Sequence, residues 1–231
     1  MPEGSGPLVL YAGWEAEEVE FEVFIWGEYD GTGEYEVKYS YKDKLPAGTL
    51  VTEALARQNY AENVPATICD TNYYVLNEEK SFTSLGGSVK GDGSSIYNIY
   101  FDQKSFTIVL NPRQANTMQI GGQNYTNYTS SNPYSFTAKI GQNLDDLWPS
   151  SVTYSQSGRT QNYFHGWIWP ADNTLDSSSG STVAVGSTLY ITKRHTLTES
   201  MLRKDDSGAP NSTTYFRASY STSNNARTAN Y

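Results

Sequence analysis

The sequence predicts a mainly β chain of the α+β kind, with short helical inserts and two tyrosine-packed β modules. Three observations carry that prediction. Apolar residues recur with a period of two, the spacing of a half-buried strand, because successive strand side chains point to opposite faces. Amphipathic helical runs are few. And although only 37% of the residues are hydrophobic, 19 are tyrosines, whose rings bury large area while keeping a polar tip.

The elements follow in chain order. Val19, Phe21, Val23 and Ile25 share one face of an extended segment, with Glu20 and Glu22 on the other. Tyr35, Val37, Tyr39 and Tyr41 alternate with Glu36, Lys38, Ser40 and Lys42, and Asp30-Gly31 between the two runs is a hairpin-turn signal, so residues 19–42 form a hairpin. Thr49 to Ala61 is tolerant of helix, with poor apolar spacing. Gly91-Asp92-Gly93 reads as a tight turn that uses glycine for positive φ. Strands follow at 95–101 (Tyr97, Ile99, Phe101) and 106–110 (Phe106, Ile108, Leu110), then near 134–139, 162–169, 182–193 and 213–220. Asn143 to Leu147 fits a single turn. Thr196-Leu197-Thr198-Glu199 fits a capping box that opens a short helix. The uncharged polar tracts 121–133, 173–187 and 205 onward read as loops or linkers.

Composition bounds the function. The chain has 231 residues and a net charge of −9, with 16 Asp/Glu against 5 Lys/Arg in residues 1–80 (−11) and 9 against 11 beyond (+2). An acidic balance argues against nucleic-acid binding, and the acidic run Glu15–Glu36 reads as a solvated face. No apolar run reaches the ~18 residues of a membrane span, so no membrane insertion is expected. The first residues have neither the basic nor the apolar region of a signal peptide. Leu45-Pro46-Ala47-Gly48-Thr49 has the last two residues of a wall-sorting signal reversed, and is a turn.

Chemistry-bearing constellations are missing. No HExxH, Walker A, GxSxG, GxGxxG or EF-hand spacing occurs, so no catalytic residue, metal site or cofactor is assigned and the protein is read as non-enzymatic. One cysteine cannot make an internal disulfide, and Cys69 reads as a small buried hydrophobe. His165, among aromatics on a strand, reads as packed or at a rim, and His195 as a surface residue. Asp145-Asp146 reads as helix N-terminal acid. Trp26, Trp148, Trp167 and Trp169 suggest a sugar-stacking platform, and Trp167 falls where the pattern expects core. Trp26 and Trp169 are the candidate ligand-binding residues.

Three stretches resemble known bacterial repeats. Leu10-Tyr11-Ala12-Gly13-Trp14 is similar to the closing strand of a Listeria–Bacteroides repeat. Phe106–Asn111, Ile140-Gly141-Gln142, Phe164-His165-Gly166-Trp167 and Thr188-Leu189-Tyr190-Ile191 resemble the opening strand, turn, F-x-G-W motif and closing strand of an expanded copy. Residues 15–105, ending in Gly91-Asp92-Gly93-Ser94-Ser95-Ile96-Tyr97, resemble internalin B-repeat and mucin-binding-protein-like modules. The resemblance implies two tandem ubiquitin-like β-grasp modules, at 15–105 and 106–195. Residues 1–14 are then the end strand of a preceding repeat or a linker, and 196–231 a short helix with a Ser/Thr/Asn-rich terminal segment. It also implies a stalk or adhesion role in a secreted, wall-anchored Gram-positive surface protein. Its partners would be neighbouring repeats and a host or microbial surface protein or glycan.

Overall fold

The computed structural model describes residues 13, 15–83, 85, 87–111, 117–120, 123–125, 134–148, 152–155, 163–169, 189–191 and 196–221. It is mainly β. Two compact units divide the chain: Met1–Trp26, Val37–Ile68 and Asn77–Tyr100 in one, Gly27–Glu36, Cys69–Leu76 and Phe101–Tyr231 in the other. Residues 1–12 and 14 of the expected end strand or linker, the 182–188 and 192–193 parts of the strand expected near 182–193, the loop 173–187 and His195 lie outside the described residues.

Strands β1 (Glu18–Tyr29) and β2 (Glu34–Pro46) form the expected hairpin. Phe21, Val23 and Ile25 are buried on one face of β1. The turn is built by backbone that glycine and aspartate tolerate: Asp30 and Gly31 both have positive φ, 52° and 63°. With β3 (Tyr74–Leu76) and β4 (Ile96–Gln103) the hairpin makes a four-stranded sheet in the order β2-β1-β4-β3. Along β1 and β4 residue numbers rise together, from Phe21 against Tyr97 to Trp26 against Tyr100, so these central strands run in the same direction. A parallel pair needs a crossover connection.

Helix α1 (Glu53–Asn63) lies on that connection. Its N-cap is Thr52, whose hydroxyl accepts from the Leu55 N–H at 3.3 Å, and Glu53 stands in the first turn where the helix dipole favours acid. Only Ala56 is buried, so the helix is held by one narrow stripe and not by an amphipathic face. Arg57 bridges Glu53, one turn back, and Glu78 of the short helix α2 (Glu78–Phe82). The buried Ser81 hydroxyl of α2 accepts from the Tyr100 N–H at 2.9 Å. It thereby satisfies a strand donor on β4 beyond the reach of the three-residue β3, which pairs only with Phe101 to Gln103.

In the second unit, β5 (Phe106–Asn111), β8 (Tyr134–Ala138), β10 (Tyr163–Trp169), β11 (Leu189–Ile191) and β12 (Thr213–Ser221) form a sheet in the order β11-β10-β12-β5-β8. Strands β6 (Thr117–Ile120), β7 (Gln123–Tyr125) and β9 (Val152–Ser155) make a smaller one. The core gathers Phe106, Ile108, Leu110, Trp148, Trp167 and Phe216, with Trp148 edge-on to Phe136 and Phe216. Trp148 and Trp167 are thus packing residues and cannot stack on a sugar: they are 4% and 0% exposed. Strand β12 lies beyond the 106–195 span of the expected second module and sits mid-sheet between β10 and β5.

Three local expectations are corrected. The polar tract 121–133 contains β7, which is held by antiparallel pairing to β6 and not by its own apolar pattern. The capped turn opens at Thr198 instead of Thr196 and is a single 3-10 turn, Glu199–Met201, because Thr196 is engaged in a bridge with Asn143. And the acidic run is not solvated throughout: Glu28 is 1% exposed.

Candidate functional site

Parity decides which aromatic residues can meet a ligand. On β1, Phe21, Val23 and Ile25 face the core, so Phe24 and Trp26 point to the opposite face of the sheet and are only half-buried. On β4 the buried residues are Tyr97, Ile99, Phe101 and Gln103, which puts Ile96, Asn98 and Tyr100 on the same open face as Trp26.

Same-direction pairing of β1 and β4 makes these residues neighbours. The Trp26 and Tyr100 rings lie 5.9 Å apart with an interplanar angle of 16°, and Phe24 extends the row at 6.4 Å from Trp26. The Trp26 indole N–H donates to Asn98 Oδ1 at 2.7 Å, which fixes the ring orientation and leaves the apolar indole face as the contact surface. Lys80 Nζ lies 4.8 Å from the centroid of the Tyr100 ring and covers one end of the row. The other end is apolar and open: Ile96 is 57% exposed. The result is a short row of half-buried rings, Trp26 and Tyr100 nearly parallel and Phe24 tilted by 44° to Trp26, with an amide beside it, which offers apolar contact to a ring-shaped ligand that also carries hydroxyls.

Among the described residues, the opposite face of this unit offers only a small cavity. Phe21, Val23, Tyr41, Val51, Leu55 and Tyr97 line a cavity beneath α1. Its volume of about 20 Å³ holds one water and is too small for a sugar ring, since even benzene needs a cavity of roughly 150 Å³. The Tyr97 hydroxyl is buried there with no hydrogen-bond partner among the described residues. At the rim, the Tyr41 hydroxyl donates to Asn59, whose amide donates to Asp43. Burial first, then the nearby Asp43 carboxylate, pushes the Tyr41 phenol well above its ordinary range, so it stays a neutral donor. On the surface, Lys42 holds the Glu20 carboxyl below its usual range through a 2.7 Å ion pair.

The two candidate tryptophans belong to different units. Trp26 is in the platform, while Trp169 is the last residue of β10, paired with Leu189 of β11. Asn98 and Tyr100 were not singled out in the sequence, although the same alternation that marks Tyr97, Ile99 and Phe101 as core assigns them to the outer face. Cys69 is buried, in the left-handed region at φ 50°. His165 lies on β10, opposite a register shift in the pairing with β12. Asp145 and Asp146 sit in a turn, with the Asp145 N–H donating to Asn143 Oδ1 at 2.8 Å. No protein-family model, curated protein or solved structure matches the chain.

Proposed function

We propose that the chain is a non-enzymatic stalk and adhesion module of a bacterial surface protein, exported and wall-anchored in its parent. The observation that carries this reading is the parallel pairing of β5 with β12, in register from Thr107 opposite Thr213 to Asn111 opposite Arg217. Tension that enters at Phe106 and leaves at Ser221 pulls the opposite ends of two adjacent parallel strands. The ladder is then sheared, with its hydrogen bonds loaded together instead of opened one at a time. Strands β1 and β4 repeat the arrangement in the first unit. The order β2-β1-β4-β3, with α1 on the crossover, also supports a β-grasp reading of residues 15–105.

Force spectroscopy tests it. In a Cys69→Ser background, handles at Ser105 and Ser221 load β5 and β12 in shear, whereas handles at Asn111 and Ser221 peel them from one end. The unfolding force is expected to be several-fold higher in the first geometry. Equal forces in the two would remove the support for a stalk.

The Trp26 row favours a second reading, a carbohydrate-binding module that stacks glycans, with Trp169 as a separate contact on the other unit. Trp26→Ala is expected to weaken glycan binding about 10-fold, the scale of one lost aromatic stacking contact. Glycan arrays followed by titration calorimetry read this directly, with Trp169→Ala measured separately. Undiminished binding by Trp26→Ala would sink the platform.

A further inference from the structure

Strand β2 ends the four-stranded sheet, and among the described residues no strand pairs with its outer side. It is 13 residues long, and a long strand edge is a template for pairing with another chain. Its even-numbered residues share one face and read Glu34, Glu36, Lys38, Ser40, Lys42 and Lys44. The strand therefore begins acidic and ends basic, with Glu34, Glu36, Lys42 and Lys44 all exposed.

We propose that β2 is a self-pairing edge, and that its occupant is β2 of a second copy of this chain, antiparallel and centred on Tyr39. Charge order selects that register. With Tyr39 opposite Tyr39 of the partner, Glu34 faces Lys44 and Glu36 faces Lys42, each twice by symmetry, while Lys38 faces Ser40. Four opposite-charge pairs form and no like-charge pair. Moving the centre to Lys38 places Lys38 against its own copy. Moving it to Ser40 places Lys38 against Lys42 twice. Slips that change parity put opposite faces of the strand together. Of these three registers, only the one centred on Tyr39 forms four opposite-charge pairs and no like-charge pair. On the other face it sets Val37, 46% exposed, against Tyr41, covering an apolar side chain. Lys42, already bound to Glu20 of β1, would then stand between two carboxylates.

Sedimentation and light scattering on the full chain, over roughly 10 µM to 1 mM as a small polar interface requires, test the pairing. The wild type is expected to double in mass as concentration rises. Glu34→Lys with Glu36→Lys, and separately Lys42→Glu with Lys44→Glu, should each lose the dimer, since every pair becomes like-charged. Mixed one to one, these two variants should recover it as a heterodimer, because one strand is then all basic and the other all acidic at the paired positions. Recovery on mixing also shows that both variants are folded. A wild type that stays monomeric throughout, variants that dimerise unaided, or a mixture that stays monomeric would each overturn the proposal.

Discussion

Lys139→Met is expected to destabilise the second unit by about 3–5 kcal/mol, the cost of leaving a buried carboxylate without its cation. Lys139 Nζ lies 2.7 Å from both oxygens of Glu28, whose side chain is 2% exposed. The remaining partners of that carboxylate are backbone donors, Gly33 N–H at 3.0 Å and Gln103 N–H at 2.9 Å. Removing Lys139 leaves a charge whose neighbours are two neutral dipoles, and burial makes that costly. The surroundings cannot relax freely. The Gln103 side chain accepts from the Gly31 N–H at 2.9 Å, and a Cβ on Gly31 would approach Gln142 Cβ to 2.9 Å and Lys139 Cβ to 3.0 Å. The hairpin tip and the 139–142 turn are therefore seated against one another at van der Waals distance. Urea unfolding read by tryptophan fluorescence measures the loss. A double variant, Glu28→Gln with Lys139→Met, should recover part of it, because a neutral amide keeps a hydrogen-bond acceptor without the charge. A Lys139→Met chain as stable as wild type would show that the pair contributes nothing to the fold.

Trp167→Ala is expected to cost a similar 3–5 kcal/mol by a different route, the loss of apolar burial together with the cavity left behind. Trp167 is fully buried, and its strand is clamped on both sides, opposite Ile191 of β11 and Ala218 of β12. Paired strands on either side cannot collapse into the vacated volume, which places the cost in the upper part of the range for aromatic truncations. Against a total stability of about 5–15 kcal/mol, that is enough to lower the melting temperature by roughly 10 °C or more. Calorimetry on Trp167→Ala, beside the half-buried Trp26→Ala as a control with a much smaller shift, checks the contrast. Equal shifts would contradict the burial difference.

The long strands were legible because alternation is a local property: β1, β2, β4, β5 and the core parts of β8, β10 and β12 all appear close to where period two puts them. Trp26 was legible as an outward residue for the same reason, since it follows the core residue Ile25. The elements that were not legible are short. Strands β3 and β7 have three residues each, too few to show a period, and both exist because a neighbouring strand supplies their hydrogen bonds. Helix α1 shows in the sequence only as a helix-tolerant run, because its stability comes from a cap and one packed stripe.

By itself, then, the sequence determined a mainly β protein, the Asp30-Gly31 hairpin, which faces of the strands are apolar, and the charge order along β2. Tertiary structure alone decided that Tyr100 and Asn98 stand beside Trp26, that β12 pairs in parallel with β5, and that Glu28 is the one member of an acidic run to be buried. Each of these joins residues 72 or more positions apart. Which distant strands become neighbours depends on closing long loops, and no local pattern of side chains records that. Glu28 looks like its solvated neighbours until Lys139, 111 residues away, is brought to it.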